Sequence, residues 1–173
     1  MRRCCPLLFI FLFIGCNERP QAPALSAEPV YDNPNAGVRF LAPTNWTIVA
    51  RSDKPPEGPG ERLLVGYQSA PNASHASFEV TIDAKPTSDD VASVVREASH
   101  GATTWELVGA PASLTIGGAP ATRYTLKHKD TTKEVVAVRR GGRLFLFTLI
   151  AAANDPESRQ QIRQVIDGVT WTK

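Results

Sequence analysis

The sequence predicts an α+β domain: an antiparallel, twisted β-sheet with helices packed on its faces. Three observations carry that reading. Ser77 to Ala84 alternates strictly, with Phe78, Val80, Ile82 and Ala84 on one side and Ser77, Glu79, Thr81 and Asp83 on the other, the period of a strand with one buried face. Gly117-Gly118 and Gly141-Gly142 each separate two strand-like runs, as a two-residue turn with positive φ at both central positions requires. Two segments carry apolar residues at helical spacing between recognisable ends.

The elements follow in order from Val38. VRFLAP and WTIV (Trp46 to Val49) read as two short strands joined by a Pro-Thr-Asn turn. Ser52 to Gly60 is a loop, dense in Pro and Gly. Arg62 to Gln68 is a third strand, and Ser77 to Ala84 a fourth. In the first helix Thr87 or Ser88 caps the start, Asp89 and Asp90 suit the positive dipole end, and Val91, Val94, Val95 and Ala98 form the stripe before Gly101. The second starts at an Asp155 cap with Pro156 at N1, buries Ile162, Val165 and Ile166, and stops at Gly168. Between them lie two hairpins, Ser113–Ile116 with Ala119–Lys129 and Lys133–Arg140 with Arg143–Ala151. The second turn pairs Val138 with Phe145 and Val136 with Phe147. RLFLFTLIA is apolar on both sides, so it is expected at the centre of the sheet with both faces covered.

Domain organisation is set at the N-terminus. Met1 to Gly15 has the layout of a secretory leader: Arg2 and Arg3, then eight unbroken apolar residues from Leu7 to Ile14. At 1.5 Å per residue a run of about eight to ten reaches only about 15 Å, half of a bilayer core. The run ends in Phe13-Ile14-Gly15-Cys16, which resembles the lipobox of bacterial lipoproteins, with Phe13 where Leu is usual. That resemblance implies cleavage behind Gly15 and an acylated Cys16 as the lipid anchor. Two or three acyl chains hold a protein at a membrane stably, where one does not. Cys4 and Cys5 leave with the leader, so no disulfide framework and no Cys-based metal site is expected. Residues 16–36 read as the lipidated cysteine and a Pro-rich tether (Pro20, Pro23, Pro29, Pro34). Residues 37–173 read as the globular domain, long enough to bury one independent core.

VRFLAPTNW, GGAPATRYTL and the closing VTW (Val169 to Trp171) resemble the PsbP-like superfamily, which includes PsbP, Mog and LpqN-type proteins. The resemblance implies an α/β/α sandwich around an antiparallel sheet that serves as a binding or assembly module. It carries over no catalytic residues. On physical grounds alone Phe40 and Trp46, flanking Pro43, read as core and corner packing, and Trp171 as a clasp over the sheet.

The search for chemistry excludes more than it finds. Of the 173 residues 42% are apolar and 21% charged, a globular profile. Without Arg2 and Arg3, 17 of the 19 basic side chains remain against 17 acidic ones, which argues against a nucleic-acid binder. His75, His100 and His128 lack metal-ligand spacing. His128, on the face of Tyr124 and Leu126, reads as a strand-end core histidine; the other two read as loop residues. Ser74-His75 and Ser99-His100 are adjacent only in sequence, and no Gly-x-Ser-x-Gly elbow or phosphate-cradling glycine loop occurs. Glu79 and Asp83 stand about 13 Å apart along one strand, too far for a paired acid and base. No metal or cofactor is implied.

One charge cluster remains. Arg123, Lys127, Lys129, Lys133, Arg139, Arg140 and Arg143 face only Asp130 and Glu134. They form either a docking patch for anionic lipid headgroups or an acidic partner, or a solvated sheet edge that blocks edge pairing, the ordinary use of such charge. The expected function is a membrane-anchored, non-catalytic binding or assembly module of a bacterial envelope. The alternative is an envelope hydrolase with a site assembled from scattered Ser, His and Asp. The expected partners are the membrane, through the acyl chains, and a protein of the envelope.

Overall fold

The computed structural model describes residues 30–55, 57–58, 60–70, 75–86, 91–97 and 104–172. The leader, Gly15, Cys16, the tether up to Pro29, the Thr87/Ser88 cap, Ala98, His100 and Gly101 lie outside them. In chain order the elements are β1 (Val30–Asn33), β2 (Val38–Leu41), β3 (Trp46–Arg51), β4 (Glu61–Ser69), β5 (Ser77–Asp83), α1 (Val91–Glu97) and β6 (Glu106–Leu107). Then follow β7 (Ala112–Ile116), β8 (Ala119–His128), β9 (Thr131–Arg140), β10 (Arg143–Ala152), α2 (Pro156–Asp167) and β11 (Thr170–Trp171).

The strands form an eight-stranded sheet ordered β3-β4-β5-β10-β9-β8-β6, with β7 also on β8, and a three-stranded sheet ordered β1-β2-β11. Every pairing is antiparallel. The hairpin expectations hold residue for residue: Val138 faces Phe145 and Val136 faces Phe147, and all four turn glycines have positive φ. β10 lies mid-sheet between β5 and β9, because neither of its faces can be left wet.

Alternation along β10 divides the core in two. Phe145, Phe147, Leu149 and Ala151 face α2 and the small sheet, among Phe40, Phe78, Val136, Ile162 and Val165. Leu144 and Leu146 face the other way, with Val135, Ala137, Tyr124, Leu126 and α1's Val95. α2 sits where its ends dictate. The Asp155 carboxylate accepts from the Ser158 N–H at 3.0 Å, Pro156 occupies the first turn, and the Gly168 N–H closes on the Gln164 carbonyl. Trp171 is the expected clasp: its ring lies 4.9 Å from that of Phe145, and its Nε1–H donates to the Ile116 carbonyl at 2.9 Å.

Two expectations need correction. The tether does not run to Ala36: Val30–Asn33 is a strand on β2, with Tyr31 and Asn33 buried. Four residues between Pro29 and Pro34 are too few to show a period, and only the partner strand stabilises them. The Pro43-Thr44-Asn45 turn, with Asn45 at φ 64°, joins β2 to β3 as expected, and carries the chain from the small sheet to the edge of the large one. His128 is half-buried at a strand end and not a core residue. Its Nδ1 lies 3.0 Å from the Thr104 carbonyl, so that nitrogen carries a proton.

Candidate functional site

The basic cluster does not form one patch. Lys133 points inward and is 0% exposed. Its Nζ donates to the Val95 carbonyl at 3.3 Å and lies 5.8 Å from the centre of the Trp105 ring. Burial drives its pKa below the usual lysine value, against the pull of Glu61 and Glu79. Arg139, Arg140 and Arg143 stand at the β9–β10 turn, eight residues or about 26 Å of strand from Lys127's level. There Arg140 covers the Trp171 ring at 5.3 Å, and Arg143 donates to the Asn35 and Ala36 carbonyls, each at 3.3 Å. Lys129 sits in the β8–β9 turn at the opposite end, at φ 52°. The seven residues are close only along the chain, because antiparallel hairpins send successive turns to opposite ends.

Arg123 and Lys127 are different. They project from β8 toward α2, whose Arg159 and Arg163 stand one turn apart on the facing side. Together with Thr125, Thr132, Val108 and Pro156, Lys127, Arg159 and Arg163 line an open groove of about 650 Å³. A recess at its inner side is walled by Arg123, Arg159 and Arg163 over Leu114, Val136 and Ile162. Two carboxylates line this site, Glu134 and, at the recess, Asp167. Glu134 is almost fully buried and receives Arg163 on both oxygens, at 2.9 and 3.0 Å from Nη2 and 3.2 Å from Nε. Among the described residues the side chains of Arg123, Lys127 and Arg159 make no hydrogen bond or ion pair. A half-buried arginine without a partner has given up part of its hydration with nothing returned by the protein, the condition under which an incoming anion binds best.

The opposite flank of α2 has a second groove of about 690 Å³, lined by Thr44, Asn45, Trp46, Ser69, Glu157 and Gln161 among others, with no cation. Trp46 Nε1–H donates to Gln161 Oε1 at 2.8 Å, and Gln161 Nε2 donates to the Thr44 carbonyl at 2.8 Å. Those amides are committed to holding the corner.

Elsewhere Arg51 pairs with Asp53 at 2.9 Å. His75 is exposed, and among the described residues neither it nor His128 hydrogen-bonds a serine hydroxyl or a carboxylate. Glu79 and Asp83 share one strand face, as expected. Among the described residues no three His, Cys, Asp or Glu side chains form a group able to hold a metal ion, and no helix is long and apolar enough to cross a membrane. Sequence reasoning missed Arg159 and Arg163, which lie far along the chain from Arg123. The available signal was an arginine pair four apart on the polar side of a capped helix.

A scan against family models found no match, and a sequence search of curated proteins found none either. Fold comparison does find relatives. The solution structure of cyanobacterial PsbP (CyanoP) from Synechocystis sp. PCC 6803 superposes with a TM-score of 0.59 at 17% identity, over 87% of this chain and 96% of that one. The chain has a PsbP-like fold. A protein from Bacteroides thetaiotaomicron matches at a TM-score of 0.53 and 13% identity over 83% of this chain, which spans 48% of its length. LpqN, involved in cell envelope biogenesis of Mycobacterium tuberculosis, aligns at 0.44 and 20% identity over 79% of this chain and 83% of that one, too loose a likeness to say more. Within the PsbP-like domain, the cation-lined groove lies between the C-terminal helix and the fold's central hairpins.

Proposed function

We propose that the protein is a bacterial envelope lipoprotein, held at a membrane by acyl chains on Cys16, whose PsbP-like domain is a non-catalytic binding or assembly module. The observation that supports the second half is the groove, where among the described residues the side chains of Arg123, Lys127 and Arg159 stand without partners over an apolar recess. Such a surface is suited to recognising charge. Among the described residues neither His75 nor His128 touches a serine or an acid. The anchor rests on the Gly15-Cys16 sequence. Because Val30–Asn33 is a strand of the domain, the proposed tether does not extend past Pro29.

The test is mass spectrometry of protein made in a bacterial host, together with membrane fractionation of a Cys16→Ser variant. Expected are an N-terminal Cys16 carrying acyl chains, and release of the variant from the membrane fraction. An unmodified Cys16, or a retained leader, overturns the anchor.

A further inference from the structure

We propose that the groove between α2 and β8 binds an extended, acidic segment of a partner protein, whose carboxylates engage Arg123, Lys127 and Arg159. The proposal rests on the reading of the domain as a binding module, and names the chemistry of what it binds.

Charge complementarity is the first argument. Among the described residues the side chains of Arg123, Lys127 and Arg159 border the groove and its recess without partners. Glu134 is occupied by Arg163, and Asp167 is the one further carboxylate of the lining, leaving four cations against two anions. The site therefore holds uncompensated positive charge in a concave, partly dehydrated setting, where field lines are focused and an anion is attracted over a distance of about one Debye length.

Shape selects among anions. Arg123 is recessed against α2 over Leu114 and Ile162, so a flat bilayer surface presses on the groove's rim without reaching it. A narrow chain can enter the groove of about 650 Å³, and the recess of about 20 Å³ beside Arg123 admits a single carboxylate oxygen from it. Arg123 and Lys127 lie four residues apart on one strand, about 13 Å, and an extended peptide repeats its side-chain direction about every 6.6 Å. Acidic residues at every second or fourth position thus meet both cations from one side, while Arg159 reaches in from the helix. The residues between them face the apolar parts of the walls, Leu114 and Val108. β8 is already bonded on both edges, by β9 and by β6 with β7, so the segment docks through side chains and not as an added strand.

The experiment uses the full chain in a mild non-ionic detergent and a labelled, end-blocked seven-residue peptide with Asp at alternate positions and Ala or Thr between, read by fluorescence anisotropy. The Asp peptide is expected to bind, and its Asn counterpart not to. Arg123→Gln should weaken binding about tenfold, as loss of a charged hydrogen bond does, and the pair Lys127→Gln with Arg159→Gln by about as much. Lys54→Gln with Lys85→Gln, which removes equal charge outside the groove, should leave affinity unchanged. Equal binding of the Asp and Asn peptides overturns the proposal, as does equal loss in the groove and control pairs. So does groove-dependent capture of phosphatidylglycerol vesicles with no peptide binding, which would make the surface a lipid contact. Failure here with Cys16 acylated leaves the anchored module standing; peptide binding with Cys16 unmodified separates the groove from the anchor.

Discussion

The two faces of the large sheet are made by the same strands, residue by residue in alternation, and they are unequal. Toward α2 and the small sheet the core is aromatic and continuous: Tyr31 lies 4.8 Å from Phe40, Phe40 lies 6.2 Å from Phe78 and 6.5 Å from Phe147, and Phe145 lies 4.9 Å from Trp171. Toward α1 a short helix covers a smaller set, Tyr124, Leu126, Val135, Ala137, Leu144 and Leu146, and a lysine is sealed in beside it. Beyond that set the same face turns polar, with the Thr81 hydroxyl donating to Glu61 at 2.6 Å. Stability is concentrated on the first face, and the second tolerates a buried charge because less apolar packing depends on it. The groove opens along the margin of the first face, where a rigid core fixes the position of its arginines.

Adjacent positions of β10 provide the strongest way to break that comparison. Phe147→Ala, on the α2 face, should lower unfolding free energy by about 4 kcal/mol, and Leu146→Ala, on the α1 face, by about 2, since a short helix can settle into the smaller void. Chemical denaturation measures both, and equal losses would mean that the faces are equally packed.

The hairpin turn under Trp171 sharpens the contrast. A Cβ on Gly117 would stand 2.7 Å from both Trp171 Nε1 and the Val169 carbonyl, whereas one on Gly118 meets nothing within 4 Å. Both have positive φ, which strains alanine by about 1 kcal/mol or more. Gly118→Ala should therefore cost about 1 kcal/mol and Gly117→Ala about 3, the excess measuring how firmly the clasp is held.

The smallest effect is on the other face. The folded-state pKa of Lys133 is lowered by burial, so between that value and the ordinary 10.5 the unfolded chain binds the proton and the folded chain does not. Stability therefore rises with pH across that window. Tyr67, pushed up to about 12 by burial, and Tyr31, raised for the same reason, act the other way above pH 10, where the unfolded chain ionises first. Subtracting the stability of Lys133→Met from that of the original chain isolates the lysine. The variant should equal or exceed the original by up to about 1 kcal/mol at neutral pH, and that margin should shrink as pH approaches 10.5. A margin independent of pH would show that the lysine is not titrating differently in the folded chain.

Much of this architecture is legible in the chain because it rests on local rules. The α2 boundaries follow from Asp155, Pro156 and Gly168, and both hairpin registers follow from their Gly-Gly turns. β1 is not legible, because four residues between prolines gain their conformation from β2. Lys133 shows the reverse error: its neighbours in sequence are charged, and only the parity of β9 turns it inward beneath α1. For the groove, Arg123 and Lys127 are readable as a strand-face pair, but Arg159 and Arg163 join them only when α2 folds back across the sheet.

Periodicity, caps and turns act within about ten residues, and through them the amino-acid order alone determined the elements, the central place of β10 and the division of its side chains between two cores. Which cations meet across the groove, which one is buried and where the folded domain begins were decided by tertiary structure. These depend on contacts between segments far apart in the chain, whose burial and charge pairing have no local signature.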